Sequence, residues 1–317
     1  MKLSLFHPVF LLLLMPLLYV NFLSAQNLSE SEAIGRWDLE VQYGDTWLPS
    51  WLEVKLSGNK ALVGYFVSVS GSARPIAEVH DTDGLISFSI PPQWNGSQYM
   101  HFTGKVKDGA ISGNLLDHMG QSHAFRGDRA PSLLYPAPGK WSDPKPLLRM
   151  NSLDGWRAQR EGKDNQWFVT DGVLTNPSSG VNLRTEAAYM DFKLHIEFRY
   201  PEHSNSGVYL RGRYEVQVED SFGKEPSSIY LGGIYGFLTP SENVARKSGE
   251  WQSYDITLVG RRVTVVANGK MVINNQIIPG ITGGALNSRE ATPGPILLQG
   301  DHGAVEYRNI TISTPAN

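Results

Sequence analysis

The densest group of side chains able to do chemistry lies between Tyr209 and Asp220. Read as one extended strand from Val208 to Glu219, alternation places Val208, Leu210, Gly212, Tyr214, Val216 and Val218 on one face. Tyr209, Arg211, Arg213, Glu215, Gln217 and Glu219 fall on the other. The first face suits the space between two sheets. The second is rich in groups that hydrogen-bond to sugar hydroxyls, and Tyr209 can stack on a sugar ring. A solvated strand face has the same composition, so both readings stand at this point. The run Glu215-Val216-Gln217-Val218-Glu219-Asp220 adds carboxylates two to five residues apart, which share a face directly or after a bulge. Two carboxyl groups flanking a glycosidic bond are what acid–base glycoside hydrolysis needs. The second candidate is His302, in the polar loop Gln299-Gly300-Asp301-His302-Gly303. Imidazole titrates near neutrality and serves as general acid or base, although a loop histidine held by backbone bonds is the plainer reading. His195 reads as a solvent-facing strand residue and His203 as part of a loop.

Strands must position these groups. The chain has 317 residues, 41% hydrophobic and 19% charged, with 32 Gly and 19 Pro, and no long stretch has a helical period. Between Ile34 and Gly127, short alternating runs such as Trp37-Asp38-Leu39-Glu40-Val41 predict a small antiparallel barrel or sandwich over residues 30–130. Lys107-Asp108-Gly109 reads as a hairpin turn there. Residues 131–146 hold five prolines and read as a linker crossed by few contacts. From 147 to 317 strands return. Val169 to Leu174 turns at Asp171-Gly172, Phe192 to Arg199 alternates, Val263 to Ile273 turns at Asn268-Gly269, and Val305 to Ile312 closes the chain. Many strands without crossover helices predict antiparallel sheets, and a two-sheet sandwich is the economical closure.

Several functions are excluded or unsupported. A net charge of −3 with no basic stripe argues against nucleic acid. Zero Cys removes disulfides, thiolate metal sites, a Cys nucleophile and lipoprotein acylation. There is no phosphate-cradling glycine loop, no His-Glu-x-x-His and no Gly-x-Ser-x-Gly. Lys2, the broken apolar run from Phe10 to Val20 and Ala25 predict a secretory signal over residues 1–25. The expectation is an exported protein, periplasmic or secreted, with no membrane span in the mature chain.

The C-terminal half, from about Trp141 to Ile312, resembles the 3-keto-disaccharide hydrolase domain family. The resemblance rests on Leu153-Asp154-Gly155-Trp156, Trp167 to Leu174, Asn205-Ser206-Gly207-Val208, Leu210-Arg211 and Tyr214-Glu215-Val216-Gln217 with Asp220. Gly233-Ile234-Tyr235, Gly249-Glu250-Trp251-Gln252, Gly294 to Gln299, Asp301-His302-Gly303 and Tyr307 to Ile310 continue it in order. It departs at Leu148-Arg149-Met150-Asn151. The preceding module resembles one often found before this domain, on Gly35-Arg36-Trp37-Asp38, Pro49 to Val54, Gly71 to Ile76 and Pro91-Pro92-Gln93-Trp94. The acidic run is also similar to that of laminarinase-type glucanases, but Gln217 stands in the place of their middle carboxylate.

The family resemblance implies an all-β, concanavalin-like jelly-roll β-sandwich and a carbohydrate substrate already oxidised to a ketone at C3. Such a substrate is cleaved by removing the C2 proton, expelling the group at C1 and adding water. That reaction needs a base, a donor at the ketone oxygen and an acid for the leaving oxygen. Glu215 or His302 is assigned as base, the other as acid, and Arg211 as oxyanion stabiliser. Asn205, Gln217 and Gln299 would orient hydroxyls, with Tyr209 and Asp220 at the site. No cofactor is assigned with certainty, and a divalent cation on Glu215, Asp220 or His302 is an alternative to Arg211. A non-catalytic lectin on the same fold and ordinary acid–base hydrolysis are the competing readings.

Overall fold

The computed structural model describes Leu28 and residues 31–316, apart from positions 95, 96, 161 and 163. The expected signal over residues 1–25 lies outside the described residues. Among the described residues there is no α-helix, and no helix is long and apolar enough to cross a membrane.

The first eight strands form a closed antiparallel barrel: β1 (Gly35–Tyr43), β2 (Thr46–Ser57), β3 (Ala61–Val67), β4 (Arg74–Thr82), β5 (Leu85–Ile90), β6 (Met100–Lys107), β7 (Ala110–Leu116) and β8 (Ser122–Arg129). Pairing of β1 with β8, from Trp37↔Arg129 to Val41↔Phe125, closes it and leaves no free edge. Strict alternation of small or polar with apolar residues along β6 buries every second side chain. The interior is aromatic: Phe102 stacks on Phe88 at 4.5 Å and on Phe125 at 3.9 Å between ring centroids. The turn before β7 uses Asp108 and Gly109 at φ of 52° and 79°, as the Asp-Gly signal requires.

The C-terminal half packs two antiparallel sheets over one apolar core. β9 (Lys145–Pro146), β10 (Trp156–Ala158), β11 (Phe168–Thr170), β12 (Val173–Asn176), β13 (Leu183–Thr185), β14 (Phe192–Arg199), β15 (Asn205–Leu210) and β16 (Tyr214–Glu219) come first. β17 (Gln252–Val259), β18 (Arg262–Ala267), β19 (Lys270–Ile277), β20 (Leu297–Leu298) and β21 (Val305–Ser313) complete it. The smaller sheet runs β10-β13-β20-β15-β16, and the larger runs β11-β12-β21-β14-β17-β18-β19, with β9 beside β21. The turns at Asp171-Gly172 and Asn268-Gly269 form where the sequence placed them, all four residues at positive φ.

One element differs from its reading. Val208 to Glu219 is not a single strand but the hairpin β15–β16, reversed through Arg211, Gly212 and Arg213. Arg211 and Gly212 take φ of 54° and 64°, and Arg213 N donates to Leu210 O at 3.0 Å. The pairs Val208↔Val216, Tyr209↔Glu215 and Leu210↔Tyr214 keep the parity of the straight strand. Val208, Leu210, Tyr214, Val216 and Val218 therefore all enter the inter-sheet core as expected.

The 131–146 stretch is fastened rather than slack. Arg261 N donates to Leu133 O at 3.1 Å, Ala316 N donates to Lys140 O at 3.1 Å, and Trp141 bridges Pro315. The barrel itself is pressed onto the sandwich. Trp51 and Val67 belong to the sandwich core, and Trp51 meets Phe237 edge-on at 5.3 Å. A Cβ at Gly280 would lie 2.2 Å from the Trp51 indole, and one at Gly283 would lie 2.1 Å from Gly71 O. Only glycine permits that approach.

Candidate active site

Glu215 sits mid-strand on β16, 3% exposed, with its carboxyl laid across β15. The space for it is made by Gly207, where a Cβ would stand 2.2 Å from Glu215 Oε1. Its cross-strand neighbour Tyr209 places its hydroxyl 3.0 Å from Glu215 Oε2 and 2.9 Å from Gly283 O. That hydroxyl has one hydrogen to share between the two acceptors, and donating it to the carboxylate favours the ionised form. Burial pushes the Glu215 carboxyl up to about 8, against the partial relief of the Tyr209 bond and the His302 charge.

His302 arrives from the loop before β21. Asn176 Nδ2 donates to Gly300 O at 3.1 Å and Gly303 O at 2.7 Å, clamping the loop from β12. Asn182 Oδ1 accepts from Gly300 N at 2.7 Å. Gly300 is obligatory because a Cβ there would lie 2.4 Å from Val181 O and 2.9 Å from the Trp167 ring. Asp301 holds His302 through Oδ1 and Nδ1 at 2.6 Å. That bond, assisted by the charges of Asp301, Glu215 and Glu219, raises the imidazole above its ordinary value in spite of partial burial. The same bond and the imidazole charge lower the Asp301 carboxyl, although its burial acts the other way.

Glu215 and His302 share one cavity of about 180 Å³, with Tyr209, Gln217, Asn205 and Gln299 also on its walls. Six of the eight residues assigned from the sequence are thus brought together. Gln217 Nε2 donates to Ile229 O at 3.2 Å, while Gln217 Oε1 and Gln299 Oε1 are buried acceptors with no partner. Buried acceptors of that kind cost free energy until a ligand hydroxyl or similar donor reaches them.

Arg211 and Asp220 are not brought in. Arg211 occupies the turn, fully buried, and donates from Nη2 to Tyr214 Oη at 2.9 Å and Gly260 O at 2.8 Å. Arg213 beside it donates to Asn287 Oδ1 at 3.0 Å and Thr292 O at 2.9 Å. The turn removes both from the face that carries Glu215, so Arg211 cannot hold an oxyanion there. Tyr214 and Arg261 converge instead on Glu290, and Asp38 of β1 joins the same group. Burial, then the Glu290 charge, pushes the Asp38 carboxyl up to about 9. Asp220 accepts from His203 N at 2.9 Å and does not line the cavity. Glu215, Asp220 and His302 therefore do not converge as ligands for one cation. Among the described residues no three His, Asp or Glu side chains are grouped to hold a metal.

Sequence reasoning missed Asn182, Asp301 and Tyr235 on the cavity wall, and all of the barrel's share: Ser70, Gly71 and Trp94. The available signals were the motifs around Gly71 and Gln93-Trp94. Gln93 ties them to the site, donating from Nε2 to Ser72 Oγ at 3.1 Å, accepting from Ser72 N at 3.2 Å and bonding Tyr235.

Residues 144–313 match the family of 3-keto-alpha-glucoside-1,2-lyase-like domains. The match spans just over half of the chain, and the chain belongs to that family, which makes it a carbohydrate-active protein. No curated protein matches it. Among solved structures, a protein of Parabacteroides distasonis assigned as a glycosyl hydrolase is 29% identical over 56% of this chain and 92% of its own, with a TM-score of 0.46. A second one from that organism is 28% identical over 55% and 98%, with a TM-score of 0.42. The carbohydrate-binding module CBM66 of Bacillus subtilis is 12% identical over 50% and 94%, with a TM-score of 0.31.

Proposed function

We propose that this protein, acting after export on a concanavalin-like jelly-roll scaffold, cleaves glycosides that carry a ketone at C3. The observation that carries the proposal is one cavity in which a buried carboxyl of raised proton affinity faces an imidazole held by a carboxylate. Glu215, once ionised, removes the proton from C2, and the electron pair forms the enediolate across C2 and C3. The pair then forms the C1–C2 double bond as the C1–O bond breaks, and His302 gives its proton to the leaving oxygen. Water adds, hydroxyl to C1 and proton to C2. Asn205 or Tyr235, on the cavity wall, takes over the donor role at the ketone oxygen that Arg211 cannot fill. A carboxylate with a high pKa is a stronger base toward carbon than an ordinary one.

Ordinary retaining hydrolysis by Glu215 and Glu219 fits less well. The β15–β16 ladder runs from Asn205↔Glu219 to Leu210↔Tyr214 without a shift. Glu219 does not line the cavity that holds Glu215, whereas retaining glycosidases bring both carboxyls to one site about 5.5 Å apart. The test is incubation in deuterium oxide with a methyl 3-keto-glucoside and with its unoxidised parent. The expected result is cleavage of the keto form alone, with deuterium at C2 of the released sugar. Cleavage of the parent at a similar rate, or product without deuterium, would overturn the mechanism.

A further inference from the structure

The cavity holding Glu215 does not end at Trp94. Beyond that indole a second cavity of about 370 Å³ opens into the end of the barrel, and Ser70 and Trp94 line both. Trp94 is 65% exposed, yet its position is set: a Cβ at Gly71 would lie 2.9 Å from its ring and 2.4 Å from Gln93 Oε1. Most polar groups around the second cavity are already engaged. Arg74 donates to Pro91 O, Gln93 is tied to Ser72 and Tyr235, and the Tyr43 hydroxyl bonds Ser68. Asp117 accepts from His123 at 3.0 Å and from Met119 N and Gln121 N, both at 2.9 Å. The walls that remain are mainly apolar surfaces of Tyr43, Val69, Pro92, Met100 and Trp94, with Ser70 and the exposed His118 beside them.

We propose that this second cavity is the subsite for the group carried on C1 of the reacting sugar, and that this group is an aromatic ring. The proposal rests on the reading of the Glu215 cavity given above. A second sugar would bring several hydroxyls into a space where most donors and acceptors are spent, and each unpaired one carries a desolvation cost. An aryl group needs only apolar contact and an indole face, which Trp94 supplies. The barrel is then a specificity element. It selects the leaving group while the sandwich holds the sugar.

The experiment measures kcat/KM of the full chain for phenyl and methyl 3-keto-glucosides of one anomeric configuration, in wild type and in Trp94→Ala. The substitution removes an exposed side chain, so the fold is kept. Phenoxide leaves more readily than methoxide, but that intrinsic difference cancels when the phenyl-to-methyl ratio is compared between the two proteins. The ratio is expected to fall about 10-fold in Trp94→Ala, the scale of losing one apolar contact surface, and to fall through KM rather than kcat. A ratio unchanged by the substitution, with both glycosides turned over, overturns the aryl subsite alone. Turnover of neither glycoside by wild type overturns the proposed reaction and the subsite with it.

Discussion

The barrel and the sandwich bury different things. The barrel interior is closed around stacked Phe88, Phe102 and Phe125, and among the described residues the charged side chains it buries are Glu53, Asp117 and His123, besides Asp38 at the contact with the sandwich. The sandwich buries Arg211, Arg213, Glu215, Gln217, Arg261 and Glu290. Apolar burial is favourable wherever it is complete, while every buried polar group must be matched. Arg261 is paired with Glu290, while Arg211 and Arg213 donate to neutral oxygens of Tyr214, Gly260, Asn287 and Thr292. Gln217 Oε1 and Gln299 Oε1 find no partner among the described residues, and both side chains line the cavity beside Glu215. Two of the unmet acceptors thus lie at the site, and the barrel supplies a wall against which it is held.

The comparison is sharpened most by Phe102→Ala. The ring packs on both Phe88 and Phe125, so its loss should cost ~3–5 kcal/mol of stability, measured by urea denaturation. Turnover per folded molecule should stay at the wild-type value, since Phe102 reaches no substrate. A large fall in turnover at full folding would mean that the barrel core and the site are coupled.

Glu215→Gln should do the reverse. Turnover of the keto-glycoside should drop by ~10²–10³-fold, the scale for losing an acid or base. Stability should rise at alkaline pH. A carboxyl whose folded pKa is raised to about 8 is neutral in the fold where the unfolded chain is already ionised. The wild type therefore loses stability as pH climbs from the ordinary carboxylate range through about 8. The amide does not titrate, so thermal melts of the variant should be flatter over that window. A variant that melts lower than wild type at pH 8 would contradict the burial account.

The smallest expected effect is a shift in a pH profile. Asp301→Asn removes the bond that raises His302, so the imidazolium should be lost at lower pH. The alkaline limb of kcat/KM should move downward. The limb set by Glu215 should move less, because burial is the main cause of its shift. An unmoved alkaline limb would remove His302 from the role of acid.

Much of this protein could be read from residue types and spacing. Alternation fixed which side chains of β15 and β16 face the core, because the period of two is a property of the extended chain. Asp-Gly and Asn-Gly located turns, since few residues accept positive φ. The placement of Glu215, Gln217 and Tyr209 on one face followed from parity and survived the hairpin. Tertiary structure alone decided the rest. Arg211-Gly212-Arg213 carries only a weak turn signal, and the reversal there took two arginines from the site to a buried hydrogen-bond network. The union of His302 with Glu215 depends on the sheet order that sets β20 beside β15, and no local pattern encodes strand order. Trp94 reached the cavity because the barrel packs on the sandwich through glycines at 71, 280 and 283. Local sequence sets what each strand presents to either side, but long-range packing determines which strands and loops meet, and the site lies where they meet.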